Sequence, residues 1–113
     1  MRIGIMADSH DNIPMIDKAV DAFIKANCCC ILHAGDIVSP FTIARFQKFS
    51  GDMVAVYGNN DGDKVGLSKL LHGQIYRPPH KFRMGGRKFL LAHAPESIKS
   101  EELEGIEIFI YGH

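Results

Sequence analysis

The sequence predicts an α/β fold with a mainly parallel sheet, and the order of its apolar segments supports that prediction. Short apolar runs of strand length alternate with segments in which apolar residues recur every three or four positions, as they do along one face of a helix. This alternation is typical of βαβ units, in which a right-handed crossover joins two parallel strands. A length of 113 residues suits one domain of ordinary size, so we expect residues 1–113 to form a single domain.

The first predicted unit is a strand, a helix and a second strand. Ile3–Ala7 is an apolar run, and from Ile13 the apolar spacing changes to that of a helix face. Asn12 is expected to cap this helix, because its side-chain oxygen can accept a backbone N–H, and Pro14 suits the first turn. Cys29–Leu32 is then the second strand.

The middle of the chain repeats this order with weaker signals. Pro40 is expected to open a second helix, since proline is favoured in the first turn. The run Met53–Tyr57 is expected to form a third strand because it is rich in valine. Val65–Leu71 is expected to form a short helix.

The last third of the chain predicts a hairpin and a closing strand. Phe82–Met84 and Lys88–Ala92 flank a Gly-Gly pair, which permits the positive φ of a tight turn. Ile98–Leu103 is expected to form one or two helical turns, and Ile106–Tyr111 a final strand.

Composition and charge exclude several classes of function. Thirteen basic and thirteen acidic residues cancel, which argues against binding to nucleic acid or an anionic membrane by bulk charge. The longest apolar run, Cys28–Leu32, is far shorter than the roughly 18 residues of a membrane-spanning helix. No secretory signal is recognisable at Met1, and three contiguous cysteines fit a reducing compartment better than a disulfide framework. We therefore expect a cytoplasmic protein without a membrane partner, and self-association into a homo-oligomer is left open.

Polar side chains follow the end of each of five predicted strands. In open α/β sheets, ligands bind outside the carboxyl ends of the strands, so we expect these side chains to converge on one edge. They supply two carboxylates, one amide oxygen and three imidazoles. The candidate ligands are Asp8, His10, Asp36, Asn59, His93 and His113.

This mixed oxygen and nitrogen set suits Mn, Fe, Ni, Co or Zn better than Ca or Mg. Six side chains exceed the roughly three or four ligands that one ion takes from protein, so a pair of ions sharing one carboxylate uses them better. Each piece also has a plainer interpretation. Asp8 alone is explained as a turn or capping residue, and residues 59–62 as a polar loop. His33, three residues before Asp36, could support the site from outside the ligand set, but packing at a strand end is the favoured interpretation. The ordered recurrence at five strand ends favours a functional site.

Five motifs thus occur in a fixed order along the whole chain. They are Asp8-x-His10, Gly35-Asp36, Gly58-Asn59-Asn60-Asp61, His93 and Gly112-His113. Together they resemble the motifs of the calcineurin-like metallophosphoesterases. The short N-terminal block and the Gly-Asn-Asn-Asp loop are most similar to the small bacterial and archaeal phosphodiesterase branch of that superfamily.

The resemblance implies a fold, a cofactor and an activity. The implied fold is a four-layer α/β/β/α sandwich with the metals at the strand ends. Two divalent ions are implied, with Mn as the first expectation and Ni, Fe, Co or Zn as alternatives. Asp36 would bridge them, and the remaining ligands would divide between the two ions. One ion would take Asp8 and His10, and the other Asn59, His93 and His113.

The implied activity is that of a phosphoesterase, above all a phosphodiesterase. A hydroxide bridging the metals would attack phosphorus in a small phosphate ester. Nucleotides are among the candidate substrates, and the motifs do not separate monoesters from diesters.

This sequence departs from the family pattern at two places. Many family members carry a His directly after the metal-binding Asn, whereas this chain has Asn60. Asn60 is the candidate catalytic residue, because an amide can donate a hydrogen bond to a phosphoryl oxygen, although it cannot act as a general acid near neutral pH. Asp61 fits the acidic position that follows and is expected to support the loop from outside the ligand set.

The second departure is at the last motif, which is Gly-His-x-His in the family and stops here at His113. The absent His would complete the ion held by Asp8 and His10. We therefore expect the chain to lack that ligand and the C-terminal part of the second sheet.

A non-enzymatic function is the alternative. The fold is also similar to that of the small scaffold subunit of retromer, whose metal pocket has decayed and whose surface binds partner proteins. Ligand-competent residues at every metal position present favour the enzyme, whereas Asn60 and the shortened last motif favour the scaffold.

Overall fold

Two β-sheets form the framework of the protein, in a computed structural model that describes residues 1–58, 61, 66–67 and 74–113. The first sheet has the strand order β1-β2-β3-β4, and its described pairings are parallel. Its strands are Ile3–Met6 (β1), Cys30–His33 (β2), Asp52–Val56 (β3) and Ile75–Tyr76 (β4). The second sheet has the order β5-β6-β7, with β5 antiparallel and β7 parallel to β6. Its strands are His80–Met84 (β5), Arg87–Leu91 (β6) and Ile108–Ile110 (β7).

Two helices with described bounds, α1 and α2, lie on the first sheet. Helix α1 spans Ile13–Lys25, and the Asn12 side chain accepts a hydrogen bond from the Met15 backbone N–H at 3.3 Å, so the predicted start and cap are confirmed. Helix α2 spans Ile43–Phe46 and follows a 3₁₀ turn at Pro40–Thr42, which confirms helical structure from Pro40 onward.

Apolar cores occupy both faces of the first sheet, because alternate residues of a strand point to opposite faces. The core beneath the helices contains Ile16, Val20, Ile31, Ile43, Phe46, Met53 and Ile75. The core between the two sheets contains Leu32, Val56, Phe89, Leu91 and Ile110. The first sheet is therefore buried on both sides, and its β2 is buried at every residue.

The predicted α/β sandwich is confirmed, with one qualification about its layers. The described residues give one helical layer and two packed sheets. The helical turn predicted at Ile98–Leu103 is confirmed over Ser100–Leu103, which is a 3₁₀ turn, and a separate 3₁₀ turn at Pro95–Ser97 lies before the predicted segment. The predicted hairpin and closing strand are confirmed as well, and both glycines of the hairpin turn have positive φ, 58° and 77°. The hairpin belongs to a second sheet, so the polar strand ends come from two sheets and not from one.

Two further differences separate the prediction from the structure. Strand β4 was not predicted, since two residues are too few to show a period, and its pairing with β3 is a tertiary contact. The helix predicted at 65–71 lies outside the described residues except for Gly66 and Leu67, which are helical. None of the described helices is long and apolar enough to span a bilayer.

Leu32 and Ile5 are register partners on neighbouring strands, yet Leu32 is fully buried and Ile5 is 52% exposed. We expect Leu32→Ala to lower the free energy of unfolding by about 2–5 kcal/mol, because it removes buried methylene groups and leaves a cavity. Ile5→Ala, the matched control at the open edge, should cost less than about 1 kcal/mol. Urea unfolding followed by circular dichroism measures both, and equal costs would contradict the described packing.

Candidate metal centre

The carboxyl ends of strands from both sheets meet at one edge of the protein. Backbone hydrogen bonds join the segments that follow β1 and β2: the Asp8 N–H donates to the Gly35 carbonyl and the His10 N–H to the Asp36 carbonyl, each at 2.9 Å. In the second sheet, the N–H of Gly112 donates to the carbonyl of His93 at 3.0 Å. The loops that carry five of the six predicted ligands are thus held in register by their own backbones.

The side chains of these residues lie close together. The Nε2 atoms of His10 and His93 each lie 3.6 Å from the same Asp36 carboxylate oxygen, Oδ2. His93 Nε2 is also 3.8 Å from Asp8 Oδ1. The backbone N–H of His113 donates to Asp8 Oδ2 at 2.8 Å, and the rings of His93 and His113 are 5.0 Å apart. Two carboxylates and three imidazoles therefore share one site.

His93 has the tautomer that a metal ligand needs. Its Nδ1 atom lies 2.8 Å from the Ala34 carbonyl oxygen, which can only accept a hydrogen bond. Nδ1 therefore carries the proton, and the Nε2 lone pair faces the carboxylates of Asp8 and Asp36. A backbone carbonyl that fixes the tautomer in this way is a common support of metal-binding histidines.

Two overlapping groups of side chains could each hold a cation. One consists of Asp8, His93 and His113, the other of Asp8, His10 and Asp36, and within each group the ligand atoms lie within 4.8 Å of one another. Within the described part of the chain, these are the only such groups. Asp8 belongs to both groups. The family resemblance assigned Asp8 to the same ion as His10, but in the structure Asp8 also lies beside His93 and His113, which were assigned to the other ion. Asn59 and Asn60 lie outside the described residues.

Asp61 supports the site from beneath. Its buried carboxylate accepts hydrogen bonds from the backbone N–H groups of Asp36 at 3.1 Å, Val38 at 2.5 Å and Gly58 at 2.7 Å. These groups belong to the loops that follow β2 and β3, so one carboxylate fixes both loops. Asp61 acts on the position of Asp36 through the backbone.

Backbone strain is concentrated at the predicted ligands. Asp8, His10, Asp36 and His113 all have positive φ, between 50° and 71°. L-residues other than glycine rarely adopt this left-handed region, and such residues cluster at active sites when the surrounding structure enforces them. Here the hydrogen bonds to Asp61, and the backbone hydrogen bonds between the loops that follow β1 and β2, hold the backbone in this region.

Gly58, which follows β3, must be a glycine because other atoms pack closely against its Cα. A Cβ atom at Gly58 would overlap the Asp36 carboxylate and lie 2.5 Å from the Asp36 backbone nitrogen. At Gly112, a Cβ would lie 2.5 Å from the Ala7 Cβ. The site is therefore built around backbone segments that approach too closely for any side chain to separate them.

His33 takes a larger part in the site than sequence interpretation gave it. It is fully buried, its Nδ1 accepts the Gly35 N–H at 3.1 Å, and its Nε2 lies 2.9 Å from the Ser9 hydroxyl oxygen. Since Nδ1 accepts, Nε2 of the neutral ring carries the proton and donates a hydrogen bond to the Ser9 hydroxyl oxygen. His33 thus connects Ser9, which lies between Asp8 and His10, to Gly35, which precedes Asp36. Only the position of His33 at a strand end signalled this role.

Burial lowers the pKa of His33 to about 4. Loss of solvation of the imidazolium is the largest cause, and the nearby His93 adds to it, whereas Asp61 and Asp36 oppose it. The imidazole is therefore neutral at physiological pH, as its hydrogen bond with Gly35 requires.

Known proteins resemble this chain over its whole length. A sequence model of the calcineurin-like phosphoesterase superfamily domain matches residues 1–113. Phosphodiesterase MJ0936 of Methanocaldococcus jannaschii is 33% identical over 120 residues, an alignment that covers 100% of this chain and 72% of that protein.

Solved structures show the same architecture. A structure described as a novel archaeal phosphodiesterase superposes with a TM-score of 0.90 at 34% identity, over 100% of this chain and 73% of the other. YfcE, a phosphoesterase from E. coli, superposes with a TM-score of 0.70 at 19% identity, over 85% of this chain and 59% of the other. The second likeness concerns the fold alone.

Asp61→Asn tests the support of the site. The amide keeps one acceptor but loses the charge and brings an N–H group against backbone donors. We expect the free energy of unfolding to fall by about 2 kcal/mol and Mn²⁺ affinity to fall by roughly 10–100-fold, because Asp36 is no longer fixed. Asp52→Asn, at the exposed start of β3, is the matched control. Urea unfolding gives the free energy of unfolding, and Mn²⁺ titration gives the affinity. If Asp61→Asn and Asp52→Asn have the same free energy of unfolding and the same Mn²⁺ affinity, Asp61 does not support the site.

The lowered pKa of His33 predicts a pH dependence of stability. The unfolded chain binds a proton at His33 below about pH 6.5, whereas the folded protein does so only near pH 4, so stability is lost as the pH falls between these values. From about pH 7.5 to pH 5 the loss should be about 2 kcal/mol.

Urea unfolding in EDTA measures this loss without interference from metal. His33→Gln keeps a donor and an acceptor but does not titrate, so its pH dependence should be smaller by the same amount. If the wild type and this variant lose stability in parallel, the buried neutral histidine is excluded as the cause.

Proposed function

The chain belongs to the calcineurin-like phosphoesterase superfamily and is a metal-dependent phosphoesterase, and on that premise we propose that its strand-end site binds two divalent cations and hydrolyses a small phosphodiester. One observation carries the proposal: two histidines from different sheets direct Nε2 atoms at the same oxygen of Asp36, each at 3.6 Å. A carboxylate approached from two sides by imidazoles is suited to bridging a pair of ions.

The donor set supports this assignment. In its neutral form His93 presents the Nε2 lone pair to the carboxylates, because Nδ1 donates to Ala34. Asp36 is 1% exposed, so its charge is poorly compensated by water. We assign Asp36 as the shared ligand. Asp8 and His10 would hold one ion, and Asn59, His93 and His113 the other, with Asp8 close enough to both to contribute to either.

Oxygen and imidazole ligands favour Mn, with Ni, Fe, Co or Zn as alternatives. No thiolate competes, because the cysteines 28–30 precede or open β2 at its opposite end. Bound divalent cations would neutralise phosphoryl charge and lower the pKa of water, which is the chemistry that phosphate ester hydrolysis needs.

The chain's own residues then set the conditions for that chemistry. The left-handed turns at Asp8, His10 and Asp36 constrain the backbone from which these ligand side chains project. We propose that Asn60 donates a hydrogen bond to a phosphoryl oxygen. Because an amide cannot protonate a leaving group near neutral pH, we expect good leaving groups to be hydrolysed faster than poor ones.

The diester preference rests on relatedness, since a protein 33% identical to this chain bears the name phosphodiesterase. The three cysteines form no disulfide with any described residue, which is in keeping with the reducing cytoplasm as the location we propose.

Two variants separate the proposed metal sites. We expect the wild type to bind two Mn²⁺ ions per chain, His10→Ala one, and Asp36→Asn fewer than one, because Asp36 serves both ions. Hydrolysis of bis(p-nitrophenyl) phosphate should fall by roughly 100-fold or more in Asp36→Asn and on removal of metal with EDTA, and Mn²⁺ should restore the wild type.

Asp21→Asn, on the exposed face of α1, is the control and should bind and turn over like the wild type. Metal content is measured by plasma mass spectrometry after dialysis. A wild-type protein that binds none of Mn²⁺, Ni²⁺ or Zn²⁺ would overturn the proposal and favour the scaffold function.

A further inference from the structure

A cavity of about 320 Å³ opens beside the metal centre. His93 and Gly58 form the wall that it shares with the site. The rest of its lining includes Tyr57, Arg77 and Ser97, none of which is a candidate metal ligand. Ligand pockets commonly enclose roughly 300–1,000 Å³, so this volume suits one small organic group rather than a polymer.

The cavity is formed where the two sheets meet. Tyr57 follows β3 and donates its backbone N–H to the carbonyl of Tyr76 at 3.0 Å, which ties it to the residue before Arg77. Ser97 ends the 3₁₀ turn that follows β6 in the second sheet. The position of the cavity next to His93 is therefore fixed by the same strand ends that build the metal centre.

The lining combines apolar surface with a few polar groups. Pro78 and Ala94 contribute apolar side chains, whereas the Tyr57 side chain packs against the core beneath the helices. The Ser97 hydroxyl donates to the Ala94 carbonyl at 2.8 Å, so its oxygen lone pairs are left to accept a hydrogen bond from a ligand. A small pocket with a mixed apolar and polar lining is typical of sites for small organic ligands.

Arg77 brings a positive charge to this cavity. Among the residues that the structure describes, none forms a hydrogen bond or an ion pair with its guanidinium group, and the side chain is exposed. A guanidinium is always charged, presents five donors in a plane and stacks on aromatic rings. It can therefore bind both the face of a ring and the acceptor atoms at its edge.

We propose that this cavity is the subsite for one ester group of the substrate, a planar group of nucleobase size, with Arg77 as its specificity-determining residue. The inference rests on the proposed phosphodiesterase function, because a phosphate bound at the metal centre would direct an attached ester group past His93. An unesterified phosphate would leave the cavity unfilled. The substrate class is thus a phosphodiester in which at least one alcohol carries an aromatic base or ring.

Competitive inhibition tests this assignment with two phosphate monoesters that share the group bound by the metals. Thymidine 5′-monophosphate carries a planar base, and methyl phosphate carries none. With the Mn²⁺-loaded protein and bis(p-nitrophenyl) phosphate as substrate, we expect the nucleotide to bind about tenfold more tightly than methyl phosphate, as hydrogen bonds to a charged group and ring stacking allow. Isothermal titration calorimetry gives the same ratio without turnover.

Arg77→Met keeps the length of the side chain but removes its charge and its donors. We expect it to weaken thymidine monophosphate binding about tenfold and so bring the two inhibition constants together. In Arg77→Lys, the ratio of the inhibition constants of methyl phosphate and thymidine monophosphate should return less than half of the way to the wild-type ratio on a logarithmic scale. The reason is that an ammonium lacks the planar fork of a guanidinium. Arg83→Met, an exposed arginine on β5 that lines a different surface with Lys88, is the matched control and should keep the wild-type ratio.

Two outcomes would overturn the subsite while leaving the proposed function intact. The first is an active wild type that binds both monoesters with equal affinity. The second is an Arg77→Met variant in which the affinities for both monoesters fall by the same factor, because Arg77 would then attract anions in general. A wild type that neither hydrolyses the diester with Mn²⁺ nor binds either monoester would instead defeat both proposals together.

Discussion

A single buried carboxylate holds the loops on which the site depends. Asp61 receives three backbone N–H groups, and these come from the loops that follow β2 and β3. Hydrogen bonds to a charged acceptor are about twice as strong as neutral ones, and burial increases the cost of leaving any of them unmade. This contact gives the structural reason why Asp36 remains at a φ of 64°, and why Gly58 has no room for a side chain beside it.

The second requirement is that two sheets stay in a fixed relation, because neither sheet carries a complete ligand set. The core between them, with Leu32 and Leu91 among its fully buried residues, sets their separation. Among the polar contacts that cross from sheet to sheet is the hydrogen bond from His93 Nδ1 to the Ala34 carbonyl. It both orients the imidazole and decides which nitrogen carries the proton. Apolar packing thus positions His93, the candidate ligand, and a hydrogen bond determines which nitrogen of its neutral ring carries the proton.

Local sequence was sufficient for part of this structure. The helix at Ile13–Lys25 and its Asn12 cap follow from spacing and side-chain chemistry, and the ligand candidates follow from polar residues at the ends of apolar runs. The division into two sheets did not follow from strand period, which says nothing about which strands pair, and it was expected only from the family resemblance. Left-handed backbone at Asp8 and the buried network of His33 were equally inaccessible, since both depend on contacts between distant segments.

The origin of each side chain suggests how chemistry and selectivity are separated in this fold. The candidate metal ligands follow strand ends that backbone hydrogen bonds hold in place, so their geometry is closely constrained. Arg77 and Ser97 line the neighbouring cavity from the segments that follow β4 and β6. A substitution at Arg77 changes the shape and charge offered to an ester group, while the hydrogen bonds that fix Asp36 and His93 stay intact. The charge at residue 77 can therefore vary with the substrate without a change in the hydrogen bonds that hold the candidate ligands.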